Sequence, residues 1–257
     1  MNYIEYNQMY QQEKILPFGG EEQKSKQVTR MFDSIANTYD MMNHFTSLGV
    51  DKYWRNKLIK SIAQQAQQAE GGAEILDIAT GTGDLAILEA KKLNVKKITG
   101  IDISEGMMAV GNEKVKKEGL QDVISFSRED ATKMSFPDNS FDIITSSFGI
   151  RNFENLDAAL QEMNRVLRPD GVVAILELSD PVSFPMNQLF EIYSHLVLPT
   201  LGTAIARNKK SYNYLVHSID AFPQGEVMTE IVTKAGFKKV SFKRLTFGIC
   251  TLYIISK

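Results

Sequence analysis

Residues 74–86 read EILDIATGTGDLA, and this stretch decides the fold. A short apolar run ends just before Gly81 and Gly83, and an amphipathic segment begins at Asp84. Short Ile-rich runs are typical of buried strands, and glycines at this place let the chain turn tightly and approach a ligand. The unpaired N–H groups at the start of the following helix suit a carboxylate or a phosphate. The stretch therefore predicts a strand, a ligand-binding loop and a helix.

The same alternation continues toward the C-terminus. The strand-like segments KKITGID, VISFS, FDIITSS and GVVAILEL alternate with helix-like segments at 84–93, 104–118 and 155–168. Strands and helices that alternate at this pitch form βαβ units around a parallel sheet. The last two strand-like segments, FKKVSFKRL and GICTLYIISK, are close enough in sequence to form a hairpin. We therefore predict an α/β fold with a doubly wound, Rossmann-like sheet.

Composition narrows the class of protein. The chain has 257 residues and a formal charge of −2, and no long Lys/Arg cluster occurs in it, which argues against nucleic acid as a partner. Its single cysteine, Cys250, favours a reducing compartment. The N-terminus has no signal-peptide pattern, and no apolar run reaches the roughly 20 residues of a membrane helix. We expect a cytoplasmic protein with one α/β domain and an added cap.

The segments outside the alternating pattern define the domain boundaries. Residues 1–24 are polar and Gln-rich and are predicted to be a flexible arm, so the domain proper would cover 25–257. Aromatic and apolar residues return over 25–72, which predicts helices before the first strand. A cap insertion is expected over 181–224. Its first part, 181–206, contains one charged residue and has helical apolar spacing, which fits either a core helix or a lid with an apolar inner face.

A carboxylate follows the glycine loop at the distance of a nucleoside site. Asp102 ends the second strand, 21 residues beyond Gly81, where an acidic side chain can accept both hydroxyls of a ribose. Two glycines alone would indicate a simple turn. Glycines together with this carboxylate, on matching strands, predict a nucleoside-containing ligand.

Two kinds of nucleoside-containing ligand fit this pattern, a dinucleotide and a sulfonium cofactor. The pattern from Gly81 through Gly83 to Ala86 also fits a dinucleotide fingerprint. However, Asp77 ends the first strand, where its charge would suit an ammonium group and oppose a pyrophosphate. Asp130 follows the third strand, in position to touch a base edge, and no second glycine-rich turn occurs. A sulfonium cofactor with an amino-acid tail fits these residues better.

Several longer motifs carry a resemblance to a known family. The motifs are DIATGTGD (77–84), GIDIS (100–104), EDATKMSFPDNSFD (129–142), SSFGIRNF (146–153) and RVLRPDG (165–171). Together they resemble the UbiE/MenG family of quinone-biosynthesis C-methyltransferases, and the resemblance extends from residue 31 to the final strand. The SFGIRN motif is more specific than the glycine loop. One departure is Ala79-Thr80, where many relatives have another glycine.

The resemblance implies a class I methyltransferase sheet of seven strands with the last antiparallel, and S-adenosylmethionine as cofactor. The substrate would be a prenylated quinol, most simply demethylmenaquinol. By resemblance, the cofactor would be lined by residues from the glycine loop and from three strand ends. The residues expected at the cofactor are Asp77, Gly81, Thr82, Gly83, Asp102, Asp130, Ala131 and Ser147.

Methyl transfer to a quinol ring carbon needs a proton acceptor and a cation that holds the oxyanion. We assign the cation to Arg151, just beyond the fourth strand, and hydrogen-bond positioning to Asn152. Tyr39 resembles the residue that closes the site from the N-terminal helices and could relay the proton. A packed helical aromatic is the simpler interpretation of Tyr39. The three histidines lack metal-ligand spacing, so no metal site is predicted.

Three alternatives remain open at this point. The chain could be an NAD(P)-dependent oxidoreductase, a methyltransferase for another lipophilic molecule, or a non-catalytic scaffold. The quinone ring, the tail length, activity on ubiquinone precursors and the oligomeric state, with a homodimer as one option, also stay open. A prenylated substrate implies transient contact with the membrane surface, at the inner face for a cytoplasmic enzyme.

Overall fold

One seven-stranded sheet forms the centre of the computed structural model, which describes residues 9–194 and 209–257. The strands are β1 (Ala73–Ile78), β2 (Val95–Asp102), β3 (Ile124–Arg128), β4 (Phe141–Ser147), β5 (Leu167–Leu178), β6 (Lys239–Leu245) and β7 (Cys250–Ser256). Their order in the sheet is β3-β2-β1-β4-β5-β7-β6. The first five pair in parallel, and β7 is antiparallel to both of its neighbours. The predicted doubly wound sheet with an antiparallel last strand is confirmed.

Helices cover both faces of this sheet. They are α1 (Gln11–Lys14), α2 (Lys24–Thr46), α3 (Val50–Gln68), α4 (Asp84–Lys92), α5 (Glu105–Lys117), α6 (Leu156–Val166), α7 (Met186–Ile192), α8 (Lys209–Ala221) and α9 (Glu226–Lys234). The α6 helix and α9 belong to one core cluster, whereas α3 and α4 belong to the other. The apolar stripe of α6, at Leu156, Leu160 and Met163, is fully buried against the sheet, as its spacing predicts.

The central strands contribute to both clusters because successive side chains point to opposite faces. In β1, Ile75 belongs to the cluster with α3, and Leu76 belongs to the cluster with α6. In β4, Ile143 and Ile144 divide in the same way. Burial on both faces explains why these strands read as continuous apolar runs in the sequence.

The strand order reverses between β1 and β4. Chain connections after β1 lead outward to β2 and β3, whereas β4 begins the other half of the sheet. In open α/β sheets, ligands bind beyond the carboxyl ends of the strands at such a switch point. The residues that follow β1, β2 and β4 are therefore placed around one crevice.

The N-terminal segment differs from the prediction of a flexible arm over 1–24. Residues 1–8 lie outside the described part of the chain, but the following residues pack on the domain. The Glu13 carboxylate accepts the Leu156 N–H at 2.7 Å, which caps the start of α6, and the Tyr10 hydroxyl donates to Asp157 at 2.8 Å. Lys24 is also buried. A polar composition here supplies capping groups to another helix, which the prediction missed.

Only part of the expected cap insertion over 181–224 is described. The α7 helix confirms helical structure over Met186–Ile192 in the apolar segment 181–206, and residues 195–208 lie outside the described part of the chain. Tyr214 of α8 packs with Val28 and Met31 of α2, so α8 rests on the N-terminal helices. Over residues 9–194 and 209–257, no helix is both long enough and apolar enough to cross a bilayer.

Candidate active site

A cavity of about 760 Å³ lies at the carboxyl ends of β1, β2 and β4, and we call it the sheet-edge cavity. Seven of the residues that line it were predicted from the sequence as site residues: Tyr39, Gly81, Asp102, Asp130, Ala131, Ser147 and Asn152. Other lining residues were not predicted, among them Glu129 and Phe148.

Asp102 is held in a fixed orientation by backbone donors. One carboxylate oxygen accepts the Gly81 N–H at 2.8 Å, and the other accepts the Ser104 N–H at 2.9 Å. A carboxylate has about four acceptor positions, so each oxygen can still accept a hydroxyl from a ligand. Burial raises the pKa of Asp102 above its ordinary value, although the two N–H donors act in the opposite direction. The geometry suits recognition of two neighbouring hydroxyl groups.

The other end of the sheet-edge cavity is formed by the turn after β3. The Asp130 carboxylate accepts both the backbone N–H and the hydroxyl of Thr132 at 2.8 Å, which stiffens this turn. Ala131 is buried, and Ser147 lines the cavity from the end of β4. A polar turn next to a buried small side chain can hold a planar base.

Two predicted cofactor residues, Asp77 and Thr82, do not line the sheet-edge cavity. The Asp77 carboxylate is buried beneath the glycine loop, where it accepts the Thr80 hydroxyl at 2.6 Å and the Thr145 hydroxyl at 3.3 Å. The Thr82 hydroxyl points toward α2 and donates to Asp40 at 2.5 Å. Both side chains therefore support the loop from behind.

Gly83 is the third predicted cofactor residue that does not line the sheet-edge cavity. It is required for the packing of the loop against β3. A Cβ atom at Gly83 would lie 2.7 Å from the Phe126 ring, and one at Gly100 or Gly111 would lie 2.5 or 2.7 Å from it. Three glycines thus surround one phenylalanine of β3. The second glycine of the loop makes room for this ring, whereas the prediction assigned it to ligand approach.

Burial strongly affects the acids beneath the glycine loop. Glu89 of α4 is fully buried and, in the part of the chain that the structure describes, forms no salt bridge with a lysine or an arginine. Burial raises its pKa well above the ordinary value. Burial likewise raises the pKa of Asp77 to about 7. Two hydroxyl donors hold Asp77, and within the described residues neither acid pairs with a lysine or an arginine.

A second cavity, of about 680 Å³, lies between helices α2, α3, α7 and α8, and we call it the helical cavity. Its walls are mainly apolar and aromatic, with a few charged groups. The lining residues are Tyr39, Asn43, Ser47, Asp51, Trp54, Arg55, Phe148, Arg151, Leu178, Phe190, Tyr193, Leu215, Ile219 and Ile249. Tyr39 and Phe148 line both cavities, so the two cavities adjoin at these side chains.

The Arg151 side chain lines the helical cavity, and a buried acid balances its charge. Its guanidinium donates to Glu177 at 2.6 Å and to the Phe148 carbonyl at 2.6 Å. Both members of the ion pair are buried. Glu177 was missed in the sequence because it lies inside an otherwise apolar strand, where an acid gives no periodic signal.

The two other predicted catalytic residues lie nearby. The Asn152 side chain donates to the Gly149 carbonyl at 3.1 Å and accepts the Tyr214 hydroxyl at 3.0 Å. Burial raises the pKa of Tyr39, and a hydrogen bond with Asn43 acts in the opposite direction. The structure thus brings Arg151, Asn152 and Tyr39 to the place where the two cavities meet.

A second ion pair of the helical cavity was not predicted. Asp51 accepts from Arg55 at 2.5 Å, from Ser47 at 2.8 Å, and lies 2.9 Å from His44 Nδ1. Burial would raise the pKa of Asp51, but the Ser47 hydroxyl, Arg55 and His44 together hold it below its ordinary value. The signal for this ion pair in the sequence was the i, i+4 spacing of Asp51 and Arg55 beside Trp54. Such spacing normally indicates a solvent-exposed helix face.

Comparison with known proteins agrees with this geometry. The model of the ubiE/COQ5 methyltransferase family matches residues 20–257. A demethylmenaquinone methyltransferase from Bacteroides fragilis is 54% identical over 248 residues, covering 96% of this chain and 99% of the relative. A protein of the same name from Porphyromonas gingivalis is 40% identical over 247 residues, with coverage of 96% and 99%.

Solved structures support the fold. A Haemonchus contortus phosphoethanolamine N-methyltransferase 2, in complex with S-adenosyl-L-methionine, superposes with a TM-score of 0.57 at 18% identity. The match covers 87% of this chain and 60% of that chain. The resemblance first seen in the sequence motifs is confirmed by the family model over nearly the full length. The chain belongs to the ubiE/COQ5 methyltransferase family.

Proposed function

We propose that the protein transfers the methyl group of S-adenosylmethionine to a ring carbon of a prenylated quinol, with demethylmenaquinol as the substrate. The observation that carries this proposal is the pair of adjoining cavities. One has a carboxylate suited to a ribose, and the other is apolar with a buried cation. The names of the relatives, demethylmenaquinone methyltransferase, support the choice of substrate.

The sheet-edge cavity fits the cofactor. Asp102 has acceptor positions left for the two ribose hydroxyls, and Asp130 with Ala131 would hold the adenine. Gly81 and Ser147 would contact the amino-acid portion from the loop and the end of β4. When bound there, S-adenosylmethionine supplies a methyl group that is already activated by its sulfonium. The protein's task is therefore to align the ring carbon and to exclude water.

Arg151 would stabilise the ionised substrate. Loss of a proton from the quinol hydroxyl makes the neighbouring ring carbon nucleophilic, and the Arg151 guanidinium holds the resulting oxyanion. Asn152, fixed by Gly149 and Tyr214, would orient the same oxygen. Tyr39 lies at the junction of the cavities, where its hydroxyl could pass the proton outward. The ring carbon loses its own proton after it accepts the methyl group.

The quinol tail would leave through the apolar wall formed by α7. Phe190 and Tyr193 line the helical cavity, and four large apolar side chains are exposed close to them in sequence. These are Val182, Phe184, Leu189 and Ile192. We propose that this patch touches the membrane surface transiently while the tail stays partly in the bilayer, at the inner face of the membrane.

Side-by-side assays test the function. The purified protein should transfer tritium-labelled methyl from S-adenosylmethionine to a reduced, prenylated naphthoquinone and should not bind NADH. A strain that lacks the protein should accumulate the demethylated quinone. NADH binding without methyl transfer would favour the oxidoreductase alternative, and transfer to another lipophilic acceptor alone would overturn the substrate assignment.

A further inference from the structure

The helical cavity has a second arginine besides Arg151. Arg55 lies in α3, one helical turn after Asp51, and both of these side chains line the cavity. The side chain of Arg55 is 8% exposed and that of Arg151 is 6% exposed. Guanidinium groups are seldom removed from water unless a partner balances their charge. Among the described residues, the cavity therefore has two buried cations, of which the proposed mechanism uses one.

Each guanidinium is balanced by an acid but is not fully hydrogen-bonded. Arg55 pairs with Asp51 at 2.5 Å, and Arg151 pairs with Glu177 at 2.6 Å. In the described part of the chain, the buried Nε of each arginine has no hydrogen-bond partner. Buried N–H groups without acceptors are costly, and native proteins keep few of them. Both guanidinium groups also line the cavity, so a bound ligand can offer each of them a further acceptor.

Phe148 contacts both arginines. The Arg55 guanidinium carbon lies 5.4 Å from the centre of the Phe148 ring, and the Arg151 guanidinium donates to the Phe148 carbonyl. The Trp54 ring meets the Phe148 ring edge to face, with centroids 6.0 Å apart. The cations thus approach the same aromatic residue at two different points. A flat ring bound in this cavity would meet both of them.

We infer that Arg55 binds the second oxygen of the ring, para to the oxygen that Arg151 holds, and so selects substrates with two para oxygens. This inference rests on the proposed function, because a quinol has this arrangement and a simple phenol does not. Hydrogen bonds with a charged donor contribute more than neutral ones, so loss of one should be measurable. Arg55 is a specificity-determining residue in this view.

A purely structural role for Arg55 makes a different prediction. Arg55 lies 3.8 Å from Asp84 at the start of α4, so it could simply tie α3 to the glycine-loop helix. Removal of a structural tie would lower activity toward all substrates alike. Removal of a specificity contact would change the ratio between two substrates, and this ratio is the quantity to measure.

The experiment compares two acceptors that are kept reduced under argon. One is a prenylated 1,4-naphthalenediol, and the other has hydrogen in place of the hydroxyl para to the oxygen beside the acceptor carbon. The wild-type protein should prefer the diol by about 10- to 100-fold in kcat/KM. The double variant Arg55→Gln/Asp51→Asn removes the ion pair without leaving a buried charge, and its preference should fall below about threefold.

Two further variants make the test decisive. Arg168→Gln/Asp142→Asn removes another ion pair, with a distance of 2.6 Å, away from both cavities and should leave the wild-type preference unchanged. Arg55→Lys keeps the cation and should keep an intermediate preference, which also covers the case that the double variant does not fold. Full preference for the diol in either Arg55 variant would overturn the inference. Failure of the wild-type protein to methylate the diol would instead overturn the proposed function.

Discussion

The two cavities differ in how their buried carboxylates are stabilised. At the sheet-edge cavity and beneath its loop, burial raises the pKa of Asp77, Glu89 and Asp102. Asp77 accepts a hydroxyl and Asp102 accepts two backbone N–H groups, whereas the Glu89 oxygens have no hydrogen-bond partner among the described residues. Within the described residues, none of these three acids pairs with a lysine or an arginine.

At the helical cavity, each buried acid has an arginine partner. Asp51 pairs with Arg55, and Glu177 pairs with Arg151. The pKa of Asp51 is accordingly below its ordinary value in spite of burial. The difference matches the two proposed ligands, since one carries a sulfonium and an ammonium and the other develops an oxyanion. Unpaired acids suit the first, and incompletely bonded arginines suit the second.

The largest expected effect comes from Arg151→Ala. Loss of the oxyanion contact should lower kcat about 100-fold or more, with little change in cofactor affinity. The same change leaves Glu177 as an uncompensated buried charge, which should lower the free energy of unfolding by about 3–5 kcal/mol. Steady-state kinetics and denaturant unfolding measure the two effects.

A matched variant separates catalysis from folding. Arg151→Gln/Glu177→Gln removes both charges, so it should recover most of the stability and still lack activity. If Arg151→Ala turns over normally with saturating quinol, the arginine is structural and the charge-based contrast between the cavities fails.

Asp102→Ala should weaken S-adenosylmethionine binding about 10- to 100-fold. The variant removes acceptors for two ribose hydroxyls, a loss of about 1.5–3 kcal/mol. Titration calorimetry measures the affinity, and circular dichroism checks the fold. Glu105→Ala, which removes a side chain that is 70% exposed at the start of α5, should leave the affinity unchanged. Equal affinities in wild type and Asp102→Ala would refute the assignment of the ribose site.

Glu89→Gln tests the difference between the two cavities through the pH dependence of the free energy of unfolding. Because the folded-state pKa of Glu89 lies well above the ordinary 4.5, the folded protein binds more protons than the unfolded chain. This contribution to stability is present at low pH and is lost as pH rises from 4.5 through the raised pKa. The wild type should lose up to about 1.4 kcal/mol per pH unit from this group, and Glu89→Gln should not.

The control for this pH effect is Glu118→Gln. Glu118 forms a surface pair with Lys91, which holds its pKa below the ordinary value, so the variant should keep the wild-type loss of stability above pH 4.5. Urea unfolding from pH 5 to pH 8 measures all three proteins. Parallel pH profiles of wild type and Glu89→Gln would mean that Glu89 is ionised in the folded state.

Phe190→Ala should give the smallest effect, confined to the helical cavity. A side chain that contacts the tail contributes on the order of 1 kcal/mol, so KM for a long-tailed quinol should rise about fivefold. A short-tailed quinol should show little change, and cofactor affinity should stay the same. Gln188→Ala is the control, because Gln188 lies on the same helix but is exposed and does not line the helical cavity. Equal changes for long and short tails would place Phe190 in the ordinary core.

The sheet-edge cavity could be predicted from the sequence because its residues follow local sequence patterns. Gly81 and Asp102 each follow a strand whose apolar run is visible in the sequence, and the topology brings these strand ends together. The packing role of Gly83 could not be predicted, because its hydrogen faces Phe126, which is 43 residues away and gives no signal near the loop. Local patterns therefore located the loop but not the purpose of each residue in it.

The helical cavity could not be predicted from local sequence patterns. Its charged pairs involve Asp51 with Arg55 in α3, and Arg151 with Glu177 across two elements. A charged residue in a helix normally indicates solvent, and only tertiary packing shows that these are buried. Arg151 was found through its motif, whereas Arg55 and Glu177 were not assigned any role.

The packing of Phe126 among Gly83, Gly100 and Gly111 has an evolutionary consequence. A methyl group at any of the three glycines would collide with the same ring, so these positions cannot vary independently of residue 126. Substitution at Gly111 should be tolerated better in a background with a smaller residue at 126, because the next atom there lies at 3.2 Å. The four sites form one epistatic unit, and a lineage that replaces the phenylalanine with a smaller residue gains access to side chains at position 111 that the ring excludes.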